Sequence, residues 1–332
     1  MLSRVAESIY WMNRYVERAE NVARFIHVNL HLELDVPGLE AGLAPGSQWR
    51  PLIWTTGDEK LFMDHYQGFR REDVIQFLTF DEENPNSILS CVKSARENAR
   101  SIREVISSDM WFTLNRFYLM VRDPSSVQRA AQDPHTFYSD IKTACALFLG
   151  ETISTMSHGE GWHFGRIGRL LERADKTSRI LDVKYYILLP KVDDVGMPLD
   201  TIQWAALLKS ASALEMYRKA YNAITPKSVS RFLLLDRDFP RAVLHCLATC
   251  AESMRAITGS PPGSYANKAE QQLGRLMADL NYVQVEEIVK TGLHEYVDSL
   301  QARINQLDDA IYRTFYEVRS DKDAAMSQSQ SQ

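Results

Sequence analysis

The sequence predicts an all-α protein, a duplicated helical bundle whose two pseudo-twofold-related halves share a core. Three observations carry that expectation. Apolar residues recur at three- and four-residue spacing through long stretches of the 332-residue chain, as they do in helices that bury one face. No segment alternates apolar and polar residues between turn signals as a strand or hairpin does. Finally, RYVERAENVAR at 14–24 returns as RLLERADKTSR at 169–179, so Glu17 and Glu172 stand 155 positions apart, as do Arg24 and Arg179.

The same offset pairs Trp49 with Trp204, Tyr66 with Tyr221, Phe77 with Phe232, Asp81 with Asp236, Pro85 with Pro240, Cys91 with Cys246, Glu97 with Glu252 and Arg100 with Arg255. A gap-free register from about residue 10 to about residue 102 predicts an internal duplication, with a first half at 1–155 and a second at 156–318. Two copies are too few for a solenoid, so the expectation is one compact unit in which the halves pack face to face. Beyond residue 103 the register loosens.

Taken in order, residues 5–26 read as an amphipathic helix. Val5, Met12, Val16, Ala19, Ala23 and Ile26 form one apolar face, and Arg14, Glu17, Arg18, Asn21 and Arg24 gather opposite, with Tyr10 and Phe25 among them. The Gly/Pro-rich stretch 36–47 is a loop. A helix is expected from the Asn84-Pro85 pair, which suits an N-cap and first helical position, through residue 106. The second charged helix carries Arg169, Glu172, Arg173, Lys176 and Arg179 on its polar face. Loops follow at 189–198 and 258–264, a long closing helix begins at residue 293, and the polar repeats of 319–332 predict a disordered tail.

Composition narrows the function classes. The chain is 45% apolar and 24% charged with a net charge of −5 and a pI near 5.9, so no overall positive field draws nucleic acid or an anionic membrane. The first twenty residues have no apolar signal core, and no run of about 18 apolar residues spans a bilayer. Cys91, Cys145, Cys246 and Cys250 lie in apolar helical runs, which predicts reduced core thiols and a cytoplasmic protein.

Three readings of the charged helices stand open. Pairs such as Arg14 with Glu17 and Glu20 with Arg24 suit surface i,i+3 and i,i+4 contacts worth about 0.2–0.5 kcal/mol each. The two faces also suit a polar cavity, because guanidinium forks bind carboxylate or phosphate in bidentate fashion. The third reading is a sealed core network.

The Y-x-E-R-A-E-N-x-A-R stretch, its ERAD echo and FDEENPNSILSCVKSARENARSIREVISSDMWFTLN resemble the bacterial alpha-E family, an α-helical domain with a Glu-Arg motif, over nearly the whole chain to about residue 318. By that resemblance Glu17 and Arg18, and Glu172 and Arg173, take the Glu-Arg positions, while Arg96, Glu97, Asn98 and Arg100 match the RENAR segment; the second half keeps only Glu252 and Arg255 there. The resemblance implies association with an ATP-grasp-type ligase and a transglutaminase-like protein, hence a system that makes or modifies peptide bonds. On this reading the chain is a helical auxiliary that binds a partner, peptide or carboxylate through Arg14, Glu17, Arg18, Arg24, Arg169, Glu172, Arg173, Arg179 and the RENAR residues. The alternatives are an enzyme of the same system, with Glu17 or Glu172 as general base and arginine clamps, and a pure scaffold.

Other chemistry is weaker. Glu160-x-x-His163 has di-iron spacing but no second such pair, and Cys246 and Cys250 beside His245 lack the remaining zinc ligands. Nothing marks a pair such as Cys145 and His158 as activated. No phosphate-binding glycine loop is present. No metal and no cofactor are therefore expected, and any ATP requirement belongs to a partner. Trp49, Trp54, Trp111, Trp162 and Trp204 read mainly as packing anchors.

Overall fold

The computed structural model describes residues 1–35, 48–187 and 198–317. The loop expected at 36–47 and the tail at 319–332 lie outside them, as does the loop expected at 189–198 except for Pro198, which opens a helix instead. Among the described residues there are sixteen α-helices and no strand, so the all-α expectation holds. The first eight run α1 Ser3–Asp35, α2 Arg50–Thr56, α3 Glu59–His65, α4 Arg71–Thr79, α5 Ile88–Ser101, α6 Ser108–Arg122, α7 Ser125–Gln132 and α8 Pro134–Thr155. The second eight run α9 Glu160–Ile187, α10 Pro198–Ser210, α11 Leu214–Ala220, α12 Pro226–Leu235, α13 Val243–Thr258, α14 Lys268–Tyr282, α15 Val285–Thr291 and α16 Leu293–Ile311, closed by a π turn at Tyr312–Tyr316.

Element boundaries keep the sequence offset. α3 and α11 are displaced by 155 at both ends, and α4 and α12, like α5 and α13, start 155 apart. The spacing widens to 160 between the starts of α6 and α14, because the second half holds a longer connection there, with Gly259 ending α13 at φ 73° and Asn267 capping α14. This added length is why the register loosens beyond residue 103. Rings repeat as well: Phe62 stacks on Tyr66 at 5.0 Å with Phe77 edge-on, and Tyr217 stacks on Tyr221 at 4.8 Å with Phe232 edge-on. Phe62, Phe77, Tyr217 and Phe232 are buried, and these clusters anchor α3 to α4 and α11 to α12.

The centre of the molecule is the pair α1 and α9. Besides each other, α1 packs chiefly on α5 and α8, and α9 on α13 and α16. The predicted apolar face of α1 is buried throughout, and Tyr10 and Phe25 on the opposite side are buried too, while Glu7, Trp11, Tyr15 and Arg18 leave a narrow stripe partly exposed. Contacts advance together along both helices: Ile9 lies against Gly161, Asn13 against Gly165 and Glu17 against Arg173. The two therefore run parallel, with corresponding charged positions side by side. A Cβ at Gly168 would collide with the Tyr10 backbone carbonyl, so glycine is what permits this closeness.

Two boundaries depart from expectation. The helix predicted from Asn84-Pro85 starts at Ile88, because the Ser87 hydroxyl accepts from Ser90 N at 3.1 Å as the N-cap. Asn84 instead folds its side chain onto Asn86 N at 2.9 Å and donates to Phe77 O, making an Asx turn. The same helix ends at Ser101 rather than 106, and α6 restarts at Ser108 behind its own Ser107 cap.

Candidate functional site

The two Glu-Arg positions meet, and they do so reciprocally. Glu17 on α1 receives Arg173 Nε and Nη2 from α9, both at 2.7 Å, and Arg241 Nη1 at 3.1 Å. Glu172 on α9 receives Arg18 Nε at 2.7 Å and Nη2 at 3.0 Å from α1, together with Arg14 Nε at 3.0 Å. Each carboxylate is thus held by a bidentate fork from the other helix. Glu17 is 2% exposed and Glu172 0%.

Smaller groups close the network. Asn21 donates to Glu17, Lys176 Nζ lies 3.7 Å from Glu172, and Arg14 also reaches Asp308 of α16, which Tyr10 bonds as well. One turn along, Glu20 pairs with Arg24 and Arg241, and Asp175 pairs with Arg179. The Glu20 to Arg24 contact is the i,i+4 pair that the sequence suggests. Arg14 does not pair with Glu17, because its guanidinium spans the interface to Glu172 and Asp308.

Charge fixes the protonation states. Burial alone pushes the Glu17 carboxyl upward, but Arg173 and then Arg241 outweigh it and hold the group at about 2. Burial is likewise overcome at Glu172 by Arg18, Arg14 and Lys176, leaving it well below the carboxylate range. Cations exceed carboxylates here, and two arginines register it. Arg169 is lowered to about 10 by burial and by Arg173, and Arg241 is lowered by burial and the same neighbour, despite its contacts with Glu17 and Glu20.

The RENAR residues sit elsewhere, on the outer side of α5. Arg96 donates to Asn115 at 2.7 Å and stacks over Trp111 and Tyr118, Arg100 pairs with Glu97, and Asn98 bonds Ser94 O within its helix. Glu97 and Asn98 line an open cleft of about 600 Å³ with Tyr15, Glu82, Glu83 and Lys93. Its rim is predominantly acidic. Neither Glu17 nor Glu172 borders it.

The remaining expectations resolve one by one. Glu160 pairs with the Met1 amine, and His163 packs edge-on against Trp162. The Cys145 thiol faces Val16 O while His158 stacks on Trp162, so these two engage different partners. Burial raises the thiols of Cys91 to about 12 and Cys246 to about 11, and all four cysteines are free and buried. Trp49 is buried with its Nε1 donating to Glu33 at 2.8 Å. Two participants were missed by sequence reasoning: Arg241, which lies at the offset from Asn86, and Asp308. A third is a histidine group, His27 and His31 on α1 with His135 on α8; only the i,i+4 spacing of the first two was visible in the chain.

Among the described residues, no helix is long and apolar enough to cross a membrane. A family model, Alpha-E, described as a predicted alpha-helical domain with a conserved ER motif, matches residues 1–316. Uncharacterized proteins of Mycobacterium bovis and Mycobacterium tuberculosis are 23% identical over 328 aligned residues, covering 91% of this chain. The chain spans 35% of the length of these relatives. No solved structure matches it.

Proposed function

The chain belongs to the Alpha-E family, and from that premise we propose that it is a non-catalytic helical module of a peptide-bond-forming or peptide-modifying system, with its Glu-Arg pairs as the internal latch. The observation that carries this reading is the reciprocal burial of Glu17 and Glu172 in each other's arginines. A general base works best with a pKa near the working pH, whereas Glu17 is held at about 2. A buried carboxylate already saturated by guanidinium forks has no lone pair to offer a substrate.

The partner in this reading is the ATP-grasp-type ligase or transglutaminase-like protein that the family resemblance implies, and any peptide or carboxylate reaches the partner's site rather than the latch. The relatives' greater length supports a module that works beside other folded parts. The matching helix boundaries support taking the halves as copies of one unit, and the buried thiols support a cytoplasmic setting.

The test separates latch from site. Glu17→Gln alone leaves Arg173 and Arg241 facing a neutral amide and is expected to lower stability by about 3–5 kcal/mol. Glu17→Met combined with Arg173→Leu removes both charges of the main fork and recovers part of that loss. Co-purification with an ATP-grasp-type ligase, at a temperature where every variant is folded, is expected to match wild type. Loss of capture or of peptide product in the folded double variant overturns the proposal in favour of a working site.

A further inference from the structure

On the far end of α1 from the N-terminus, beyond the Glu20 to Arg24 pair, three imidazoles converge. His27 and His31 are one turn apart on α1, and His135 lies in the first turn of α8. Their ring centroids are 4.7, 5.4 and 4.5 Å apart, and one ligand nitrogen from each lies within 4.8 Å of the others. Among the described residues, the groups close enough to share an ion here are these three imidazoles. Ring packing alone would be served as well by apolar aromatics, without the cost of bringing polar nitrogens together.

One further feature points to a cation. The Nδ1 of His135 is buried with no hydrogen-bond partner, so a lone pair or a proton is left unanswered inside the cluster. The ammonium of Lys142 lies 2.6 Å from Nδ1 of His27, which shows that this nitrogen presents a lone pair and makes Lys142 the competitor of an incoming ion. From these placements we propose that His27, His31 and His135 form a binding site for a divalent transition metal of the zinc, cobalt or nickel class.

The chemistry suits that class. Imidazole nitrogens bind zinc at about 2.0–2.1 Å, which at a tetrahedral centre sets them about 3.3 Å apart. Side-chain rotation of His31, which is exposed, and modest motion of His27 close the distance. Histidines at i and i+4 present nitrogens on one helix face, as in helical zinc motifs. His135 enters from a second helix, so the ion clips the end of α1 to the start of α8. The exposure of His31 leaves solvent at the fourth position. Lys142 is half-buried and, on its flexible stem, swings off Nδ1 when the ion enters. Binding needs no redox step and no proton beyond those already on neutral rings.

Titration of tag-free full-length protein with Co²⁺, followed by visible absorption, tests the site, with Zn²⁺ competition as a second reading. Wild type is expected to take up one equivalent, with ligand-field bands and without the near-ultraviolet charge-transfer band that thiolate ligation by the cysteines would add. His31→Ala and His135→Ala each weaken uptake by more than about tenfold, and Lys142→Met strengthens it by removing a competing charge. Because His31 is exposed, its variant keeps the metal-free fold even if His135→Ala does not. Stoichiometric uptake that His31→Ala leaves unchanged overturns the proposal, as do thiolate bands or the absence of saturable uptake by wild type.

Discussion

At the residue scale, the decisive facts are what Glu17 and Glu172 touch. Local spacing on α1 suggests Arg14 as the partner of Glu17, and the molecule instead sends Arg14 across to Glu172. Spacing along one helix reports which side chains share a face, but not which face opposes it, so the Glu-Arg residues of α1 and α9 were legible and their pairing was not. Arg241 was invisible for the same reason: it stands in the connection after α12 and enters only through tertiary packing. The expected consequence is asymmetric. Glu172→Gln strips Arg14 and Arg18 of their common anion and lowers stability by about 3–5 kcal/mol, whereas Glu97→Gln, on the outer side of α5 with its pairs to Arg96 and Arg100, changes it by less than about 1 kcal/mol. Urea unfolding of the two variants measures both.

At the element scale, helix content was readable from periodicity, while boundaries depended on caps that compete for one stretch of chain. Asn84-Pro85 has the residue types of a helix start, but the Asn84 side chain is spent on its Asx turn and Ser87 caps the helix. Packing of α1 on α9 turns on glycine in a way that propensity misreads. In an open helix Gly→Ala gains about 1 kcal/mol, and Gly274 of α14, with open space where a Cβ would stand, is expected to show that gain in thermal melts. Gly168→Ala forces backbone apart from the Tyr10 carbonyl. Overpacking of about 1–3 kcal/mol then cancels or exceeds the propensity gain, so the two substitutions are expected to move the melting temperature in opposite directions or the second not upward at all.

At the scale of the whole molecule, the buried carboxylates set an acid limit. A carboxyl lowered in the fold contributes stability that is complete above its unfolded value near 4.5 and is lost as pH falls towards its folded value. For Glu17, held at about 2, this amounts to about 3 kcal/mol. Glu172 and Asp175, also depressed, add in the same direction. Stability is therefore expected to be flat above about pH 5 from these groups and to fall steeply between about pH 4.5 and pH 2. A set of denaturant midpoints across that window checks it; unchanged midpoints down to pH 3 contradict the assignment.

The reciprocal forks have one more consequence. Because the carboxylate of each central helix is answered by arginines of the other, residues 1–155 alone would carry Glu17 without Arg173 or Arg241, and the remainder would carry Glu172 without Arg14 or Arg18. Neither piece is electrically self-sufficient, which makes mutual recognition an inbuilt property of the two. A chain cut in the connection between Thr155 and Glu160 is therefore expected to yield fragments that fail to fold singly yet find each other when expressed together. Such a split pair would act as its own affinity reagent, with its specificity written in two opposed glutamates.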